Sequence, residues 1–363
     1  MALMTKRERV LRTARFEETD RVPLYDIFQN DAIIERYGGR IPTPEDGLRT
    51  VALAIGRTLD MTRMVGAPQE PKEVVHDDGA RVRIERWTSW TIERPFRDVQ
   101  SLARWVETQI SKEKDRTCTQ ADARRLFDRI ETLWGWFAES DPTGRGDPAV
   151  LVIESGAGLT EMYHAAGMEL FTELMFERPD LVEDWIETRL QAELRRVSQI
   201  ARPDYIPIAL TYDDIAHKTG PLFSPDWLRQ YWIPRLKRLT DAWHERGVLC
   251  LFHSDGNLWT VLDDLIAAGI DGLNPLETLA DMTVRKVRQA YPNLFLAGGI
   301  DVSQLLSNGT PDEVRAACRQ AIADTQGRGY FMGSTTELHW EVRLENATAM
   351  FETAWESGVN PQG

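Results

Sequence analysis

Short apolar runs alternate with amphipathic stretches along most of the chain, and this alternation constrains the fold more than any other feature. The clearest runs are 149–153, 206–210, 248–252, 270–273, 294–297 and 329–332, and each ends in a polar cluster. Continuous apolar runs are typical of parallel strands that are buried on both faces. The amphipathic stretches between the runs are typical of helices that cover such a sheet. The pattern therefore predicts a series of βα units.

Two weaker segments, 21–25 and 60–65, add a first and a second strand to this series. Eight βα units favour a closed (β/α)8 TIM barrel over an open sheet. We expect one α/β domain over residues 1–363, because no low-complexity tract or Pro/Gly-rich linker divides the chain. Residues of about 67–148 are predicted to form an insertion after the second strand.

The insertion begins with a predicted β-hairpin. Residues 73–79 and 81–87 alternate in polarity around Asp77-Asp78-Gly79, which is a typical hairpin turn. Four tryptophans follow in the same region, at positions 87, 90, 134 and 136. We expect them to pack the hairpin and its helices against the barrel. The alternative is an aromatic lid over the functional site.

Charge and cysteine content exclude several classes of protein. Lys and Arg number 43 against 57 Asp and Glu, so the net charge of −14 disfavours binding to nucleic acid or to an anionic membrane. No apolar stretch is long enough to span a membrane, and the N-terminus lacks the apolar core of a secretion signal. Cys118, Cys250 and Cys318 form no disulfide framework, which favours a cytoplasmic location.

Polar residues follow most of the predicted strands at their carboxyl ends, where barrels of this kind carry their function. Any one of them has a structural explanation, but the recurrence from strand to strand indicates a common cleft. Asp213 and Asp214 follow the fourth strand and are candidates for catalysis. The candidates for binding substrate are Asp26, Glu154, Lys218, Asn257, Asn274, Glu277, Asp301 and Ser334.

The most specific cluster is His253-Ser-Asp-Gly-Asn257, at the end of the fifth strand. Residues two apart in an extended segment share a face, so His253 and Asp255 are predicted to enter the same cleft. Such a pair can bind a divalent metal or act as an oriented acid–base pair. The alternative is a buried histidine that only holds the loop.

Several motifs together resemble the uroporphyrinogen decarboxylase superfamily. They are Arg21-Val-Pro, His253-Ser-Asp-Gly-Asn257, Gly298-Gly-Ile-Asp301, Gly309-Thr-Pro-Asp-Glu-Val314 and Leu344-Glu-Asn-Ala-Thr-Ala-Met350. The resemblance implies a TIM barrel, in agreement with the strand count. It also implies one of two chemistries: decarboxylation of a porphyrinogen without cofactor, or methyl transfer between corrinoid proteins and acceptors such as thiols, commonly with zinc.

The chain departs from both branches of that superfamily. Residues 24–31 contain no Arg where the decarboxylases resembled here hold substrate carboxylates, and Asp26 and Asp31 would repel an anionic macrocycle. The thiol-methylating enzymes resembled here bind zinc through His-x-Cys and a later Cys. His253 matches that His, while Asp255 and Ser334 stand at or near the Cys positions. The resemblance therefore implies His253 and Asp255 as candidate metal ligands, and Glu154, Glu337 or His339 could complete the set with oxygen or nitrogen ligands.

These observations favour a corrinoid-linked methyltransferase or demethylase that acts on a small molecule. The expected cofactor is a divalent metal such as zinc, and the expected co-substrate is a methyl-corrinoid carried by a partner protein. A homodimer through the Trp-rich insertion is also a candidate. The first alternative is a decarboxylase of a porphyrinogen or a smaller carboxylate, without a cofactor. The second alternative is a non-catalytic barrel that binds a small ligand.

Overall fold

Strands and helices alternate along the chain in the computed structural model, which describes residues 3–63 and 65–358. The strands are β1 (Met61–Thr62), β2 (Lys72–Val75), β3 (Arg81–Ile84), β4 (Ser89–Glu93), β5 (Val150–Leu151), β6 (Ile153–Gly156), β7 (Ile208–Tyr212), β8 (Ala216–His217), β9 (Gly220–Pro221), β10 (Leu249–His253), β11 (Gly272–Asn274), β12 (Phe295–Ala297) and β13 (Tyr330–Phe331).

The α-helices are α1 (Lys6–Ala14), α2 (Asp31–Gly38), α3 (Gly47–Thr58), α4 (Val99–Asp115), α5 (Gln120–Glu139), α6 (Leu159–Ala166), α7 (Met168–Glu177), α8 (Pro179–Ile200), α9 (Pro225–Trp227), α10 (Ile233–His244), α11 (Leu262–Ala267), α12 (Val284–Ala290), α13 (Pro311–Thr325) and α14 (Leu344–Glu356). Two π-helical segments, Leu228–Trp232 and Val302–Leu306, and one 3-10 turn, Thr278–Ala280, lie among them.

Parallel pairing closes these strands into a barrel. Six strands form one parallel sheet in the order β13-β12-β11-β10-β7-β6, and β1 pairs with β5, which continues into β6. The segment 24–25 completes the cylinder, since Leu24 bridges to Met332 and Tyr25 bridges to Met61. The eight-stranded TIM barrel predicted from the sequence is confirmed.

The barrel interior is filled by side chains from alternate strand residues. Ile208 and Leu210 of β7 belong to the inner cluster, whereas Ala209 between them belongs to the larger cluster shared with the helices. Val10 and Ala14 of α1 join the inner cluster, so α1 closes the amino end of the barrel. The interior is therefore a packed core, and only the carboxyl end is open to carry a functional site.

One buried carboxylate holds the first strand against the second. Asp60 is fully buried and accepts hydrogen bonds from Arg9 Nη1 at 2.7 Å and from Arg21 Nη1 at 2.7 Å. The same carboxylate accepts the backbone N–H of Leu24 at 2.8 Å. Burial acts to raise the pKa of Asp60, but the two guanidinium groups outweigh it and the net shift is downward. Asp60 is therefore held as an anion inside the structure.

The insertion contains the predicted hairpin and one further strand. β2 and β3 pair antiparallel around a turn in which the Gly79 N–H donates to His76 O at 2.9 Å, and β4 pairs with β3. The helices α4 and α5 follow, and Trp105 Nε1 donates to Asp78 O at 3.0 Å to fasten α4 to the turn. Trp87, like Trp134 and Trp136, packs on the core, but Trp90 is 60% exposed.

The Asp60 network yields a stability prediction. Asp60→Asn leaves Arg21 without its charge partner and leaves Arg9 with Asp20 alone, so we expect a loss of about 3–5 kcal/mol in the free energy of unfolding at pH 7. The pKa of Asp60 is lowered by folding, so its contribution is present above the ordinary carboxyl pKa of about 4 and is lost as the pH falls through the folded pKa. Urea unfolding between pH 3 and pH 7 measures both effects.

Asp128→Asn is the matched control, because Asp128 pairs with Arg124 at 2.8 Å on the surface, with both side chains more than half exposed. We expect that variant to change the free energy of unfolding by less than about 1 kcal/mol. An equally small effect of Asp60→Asn would show that the buried network does not hold the barrel closed.

Candidate functional site

The imidazole of His253 stands at the end of β10 and is oriented by the neighbouring strand. His253 Nδ1 lies 2.8 Å from Asn274 Oδ1, and Asn274 Nδ2 donates to Ala297 O at 3.1 Å. The second contact fixes the amide so that its oxygen faces the ring. The Nε2 atom of His253 lies 3.8 Å from Asp214 Oδ1. His253 is thus held as an oriented base or ligand.

Two carboxylates join this imidazole in a compact trio. Ligand atoms of Asp214, His253 and Asp255 all lie within 4.8 Å of one another. Asp255 Oδ1 is buried and has no hydrogen-bond partner among the described residues. A buried carboxylate oxygen without a donor is costly, and a divalent cation bound by two carboxylates and one imidazole would satisfy it. The residues of the trio therefore fit a metal ion.

Burial, together with nearby charges, shifts the pKa values of the three groups of the trio. Burial raises the pKa of Asp255 to about 7, with further contributions from Asp214, Glu277 and Glu337. Burial also raises the pKa of Asp214. The pKa of His253 is lowered, mainly by burial and then by the positive charge of Arg63. The histidine is therefore neutral and the carboxylates crowd each other, so added positive charge would stabilise the cluster.

Arg63 is a central residue of the site that the sequence analysis missed. It follows β1, and its Nη2 lies 2.7 Å from Nδ1 and 3.3 Å from Nε2 of His253. Its Nη1 lies 3.5 Å from Glu154 Oε1, and its Nε lies 3.4 Å from the hydroxyl of Tyr25. Burial acts to lower the pKa of Arg63, but Tyr25 and Glu154 outweigh it and the net shift is upward. A charged guanidinium thus lies among the acids of the barrel mouth.

Gly256 allows the loop after β10 to pack closely against its neighbours. The Gly256 N–H donates to Glu277 Oε2 at 2.7 Å, which brings Glu277 to the edge of the trio. Gly256 has φ of +88°, and a Cβ there would lie 2.5 Å from the carbonyl carbon of Ala216. The Asn257 N–H donates to His217 O at 2.8 Å in the same contact. The loops after the fourth and fifth barrel strands therefore pack backbone against backbone.

Asp26 and Ser334 link the first and last barrel strands at the mouth. The Ser334 N–H donates to Asp26 Oδ2 at 2.8 Å, and the Ser334 hydroxyl donates to Oδ1 at 2.9 Å. Burial raises the pKa of Asp26 to about 7, although the hydrogen bonds from Ser334 and Ile27 oppose the shift. Asp26 can therefore exchange a proton near neutral pH.

Asp213 does not face the cluster. Its Oδ1 accepts the backbone N–H of Thr160 at 2.6 Å, and its Oδ2 accepts Nε1–H of Trp232 at 2.9 Å. Both oxygens are thus used to hold the start of α6 and the π-helical segment. Burial raises the pKa of Asp213 to about 6. The structure brings Asp214, and not Asp213, to His253.

Other predicted site residues have local structural partners. Asn257 Nδ2 donates to Ala280 O at 3.0 Å, and Asp301 Oδ1 accepts the N–H of Ser303 at 2.9 Å to cap the helical turn that follows. Lys218 is exposed on the β8–β9 hairpin and makes no ion pair within the described residues. Within the described residues, none of these three side chains makes a hydrogen bond or ion pair with the trio.

Asp214, rather than Glu154, Glu337 or His339, forms the trio with His253 and Asp255. Glu337 is close enough to help raise the pKa of Asp255 but contributes no atom to the trio. His339 Nδ1 accepts the N–H of Glu341 at 3.2 Å instead. The compact cluster in the structure is therefore Asp214, His253 and Asp255, and metal binding by Glu337 or His339 stays a prediction.

A second trio lies at the opposite end of β10 and differs in one respect. His244, Cys250 and Asp271 have ligand atoms within 4.8 Å of one another. Asp271 Oδ2 already accepts the N–H of Cys250 at 2.7 Å and lies 2.7 Å from His244 Nε2. The polar groups of this second trio are hydrogen-bonded to one another. Among the described residues, the second trio has no buried oxygen without a partner such as Asp255 Oδ1 in the mouth trio.

The Asp26–Ser334 contact yields a pH-dependent prediction. Ser334→Ala removes a donor to a carboxylate, so we expect a loss of about 1.5–3 kcal/mol in the free energy of unfolding at pH 8.5. The donor stabilises the charged form of Asp26, whose folded pKa is about 7. Its loss raises that pKa further, so the penalty is full at high pH and shrinks as the pH falls through 7.

Ser307→Ala is the matched control for this measurement. The Ser307 hydroxyl is buried and donates to Val302 O at 2.7 Å, so its partner is a neutral carbonyl. Urea unfolding at pH 5.5, 7 and 8.5 should give a constant penalty for Ser307→Ala. A constant penalty for Ser334→Ala as well would show that Asp26 does not titrate in this range.

Sequence and structure comparisons identify the family. The family model described as uroporphyrinogen decarboxylase (URO-D) matches residues 146–357, and the chain belongs to this family. Among curated proteins, none matches the sequence. The matched region contains β5 to β13 and so includes His253, Asp255 and Asp214. The resemblance seen in the sequence motifs is confirmed at the level of the family.

One solved structure supports the fold over almost the whole chain. A methyltransferase from Methanosarcina mazei is similar over 97% of this chain and 99% of its own, with 17% identity and a TM-score of 0.68. A xylose isomerase-like TIM barrel protein from Mycobacterium smegmatis covers 72% of this chain and 91% of its own, with 14% identity and a TM-score of 0.37. At such identities the likeness concerns the fold alone. Among the described residues, no helix combines the length and the apolar character that a membrane crossing requires.

Proposed function

We propose that this URO-D family enzyme is a methyltransferase that moves a methyl group between a methyl-corrinoid, carried by a partner protein, and a small acceptor. The observation that carries the proposal is the unpartnered oxygen of Asp255 beside Asp214 and the oriented His253. This arrangement is suited to holding a divalent metal, which the porphyrinogen decarboxylase branch does not use. The methyltransferase fold relative is consistent with it.

Asp214, His253 and Asp255 would hold the metal, and zinc is the expected ion. A bound divalent ion acts as a Lewis acid and lowers the pKa of an acceptor group at neutral pH. Asn274 contacts Nδ1 of His253 and orients the ring with Nε2 toward Asp214, which is the usual task of a group behind a metal ligand. The Gly256 N–H holds Glu277 at the edge of the trio, where it adds negative charge.

Asp26 and Arg63 frame the remaining side of the mouth. Asp26 has a pKa of about 7, so it can take up the proton that a thiol, hydroxyl or amine acceptor releases. Arg63 lies between Glu154 and His253 and supplies positive charge for an anionic group of the acceptor. These roles require no residue beyond those that already line the mouth.

Decarboxylation of a small carboxylate is the second candidate. The raised pKa of Asp26 favours it, because an acid that is half-protonated at pH 7 can return a proton to a carbanion. The surrounding acids oppose it for a porphyrinogen, since Asp214, Asp255 and Glu277 would repel a ring of carboxylates. A barrel without activity is the third candidate, and it leaves the orphaned oxygen of Asp255 unexplained.

The metal site is tested by metal analysis of protein purified without chelator. We expect one divalent ion per chain, and its loss in His253→Ala and in Asp255→Ala, because each removes a ligand of the trio. His339→Ala and His244→Ala are matched controls and should retain the ion, since neither imidazole belongs to this trio. Loss of the ion in His244→Ala alone would place the metal at the other end of β10.

The activity is tested by following the absorbance of methylcobalamin with thiol, folate and phenol acceptors. We expect acceptor-dependent demethylation, with a rate at least about a hundredfold lower for His253→Ala because the acceptor is no longer activated. Circular dichroism checks that the variant is folded. No turnover with any acceptor, or release of carbon dioxide from uroporphyrinogen, would contradict the proposal.

A further inference from the structure

A second cavity, of about 640 Å³, lies beside the barrel mouth, between the insertion and the segments that follow the first and last barrel strands. Asn30 to Ala32 come after the first strand, and Trp340 and Val342 come after the last. The insertion contributes 85–88 and Trp90. We call this cavity the indole groove, after its walls Trp87, Trp90 and Trp340. Its volume is within the range of small-molecule sites.

Two of the three indoles are uncovered. Trp90 is 60% exposed and Trp340 is 57% exposed, although tryptophan is highly buried on average in folded proteins. Trp87 is different, because its Nε1 donates to Asp31 Oδ1 at 3.2 Å and the guanidinium of Arg86 lies 5.8 Å from its ring centroid. One wall of the groove therefore already holds a cation, while no described cation lies over the other two.

The charged groups of the groove leave one acid unpaired. Asp31 accepts Arg86 Nε at 2.8 Å, so these two side chains neutralise each other. Glu85 is partly buried in the lining and makes no ion pair and no side-chain hydrogen bond within the described residues. The lining thus carries one net negative charge and two largely exposed indoles. An anionic ligand is disfavoured, and a cation would gain from both the rings and the carboxylate.

We propose that the indole groove binds a small organic cation with an apolar surface, of the methylated ammonium class. The face of an indole attracts cations, and trimethylammonium groups combine a diffuse positive charge with methyl groups that pack on the ring. Glu85 supplies the complementary negative charge. A methylated ammonium does not need a strong hydrogen bond from this carboxylate. The net charge of −14 on the chain adds attraction at longer range. The groove is distinct from the trio, so this proposal does not rest on the methyltransferase activity.

The test compares choline with its neutral carbon isostere, 3,3-dimethyl-1-butanol, by isothermal titration calorimetry on the full chain. We expect choline to bind at least about fivefold more tightly, because only choline has the positive charge. Trp90→Leu, Trp340→Leu and Glu85→Gln should each weaken choline binding by about threefold or more. Phe176→Leu is the matched control, since Phe176 is 84% exposed on α7 and outside the groove. That variant should bind choline like the unchanged protein.

Equal affinity for the two probes would overturn the proposal and mark the groove as merely apolar. Absence of binding to either probe would overturn it as well, and a dimer dissociated by Trp340→Leu would then identify a second copy of the chain as the occupant. Unchanged choline binding in all three groove variants would place the cation elsewhere. Circular dichroism checks that each variant is folded. Trp90 and Trp340 are largely exposed, so we expect their replacement to leave the fold intact.

Discussion

Closure of the barrel depends on the buried carboxylate of Asp60. The first strand contributes only the bridged residues 24–25, so its own ladder hydrogen bonds are few. Asp60 compensates by binding Arg9 from α1, Arg21 ahead of the strand and the N–H of Leu24 within it. An open seam here would expose two strand edges and separate Asp26 from the rest of the mouth. The site at the carboxyl end thus relies on an ion pair at the amino end.

At the mouth, the closed cylinder forces side chains of one charge into a small space. Asp214 and Asp255 both have raised pKa values, and burial is the largest cause for each. Arg63 offsets part of this repulsion, but its contacts with Glu154 and Tyr25 are long. The result is a cleft with a surplus of negative charge and one carboxylate oxygen without a donor. Such a cleft favours the binding of a cation over the binding of a polyanion.

The sequence predicts the barrel well because its strands are continuous apolar runs, and it finds His253 and Asp255 because an extended segment puts them on one face. It misses Arg63 because the weak run 60–65 hides where β1 ends, and the partners of Arg63 come from other strands. It cannot separate Asp213 from Asp214, since β7 stops at Tyr212 and the chain then turns. Glu337 and His339 follow the last strand in a loop without a repeating pattern, so their directions follow only from tertiary packing.

The contact of Gly256 with Ala216 has a consequence for how this enzyme diverges from its relatives. A Cβ at Gly256 would lie 2.5 Å from the carbonyl carbon of Ala216, so the two loops pack backbone against backbone. Because of this packing, we expect the two loops to move together, and neither can widen the cleft by itself. New substrates must then be accommodated on the opposite rim, where the insertion supplies a separate, solvent-facing wall. Within this chain, the half of the mouth formed by the fourth and fifth strands is therefore the more rigid half, and the half beside the insertion has more room to change shape.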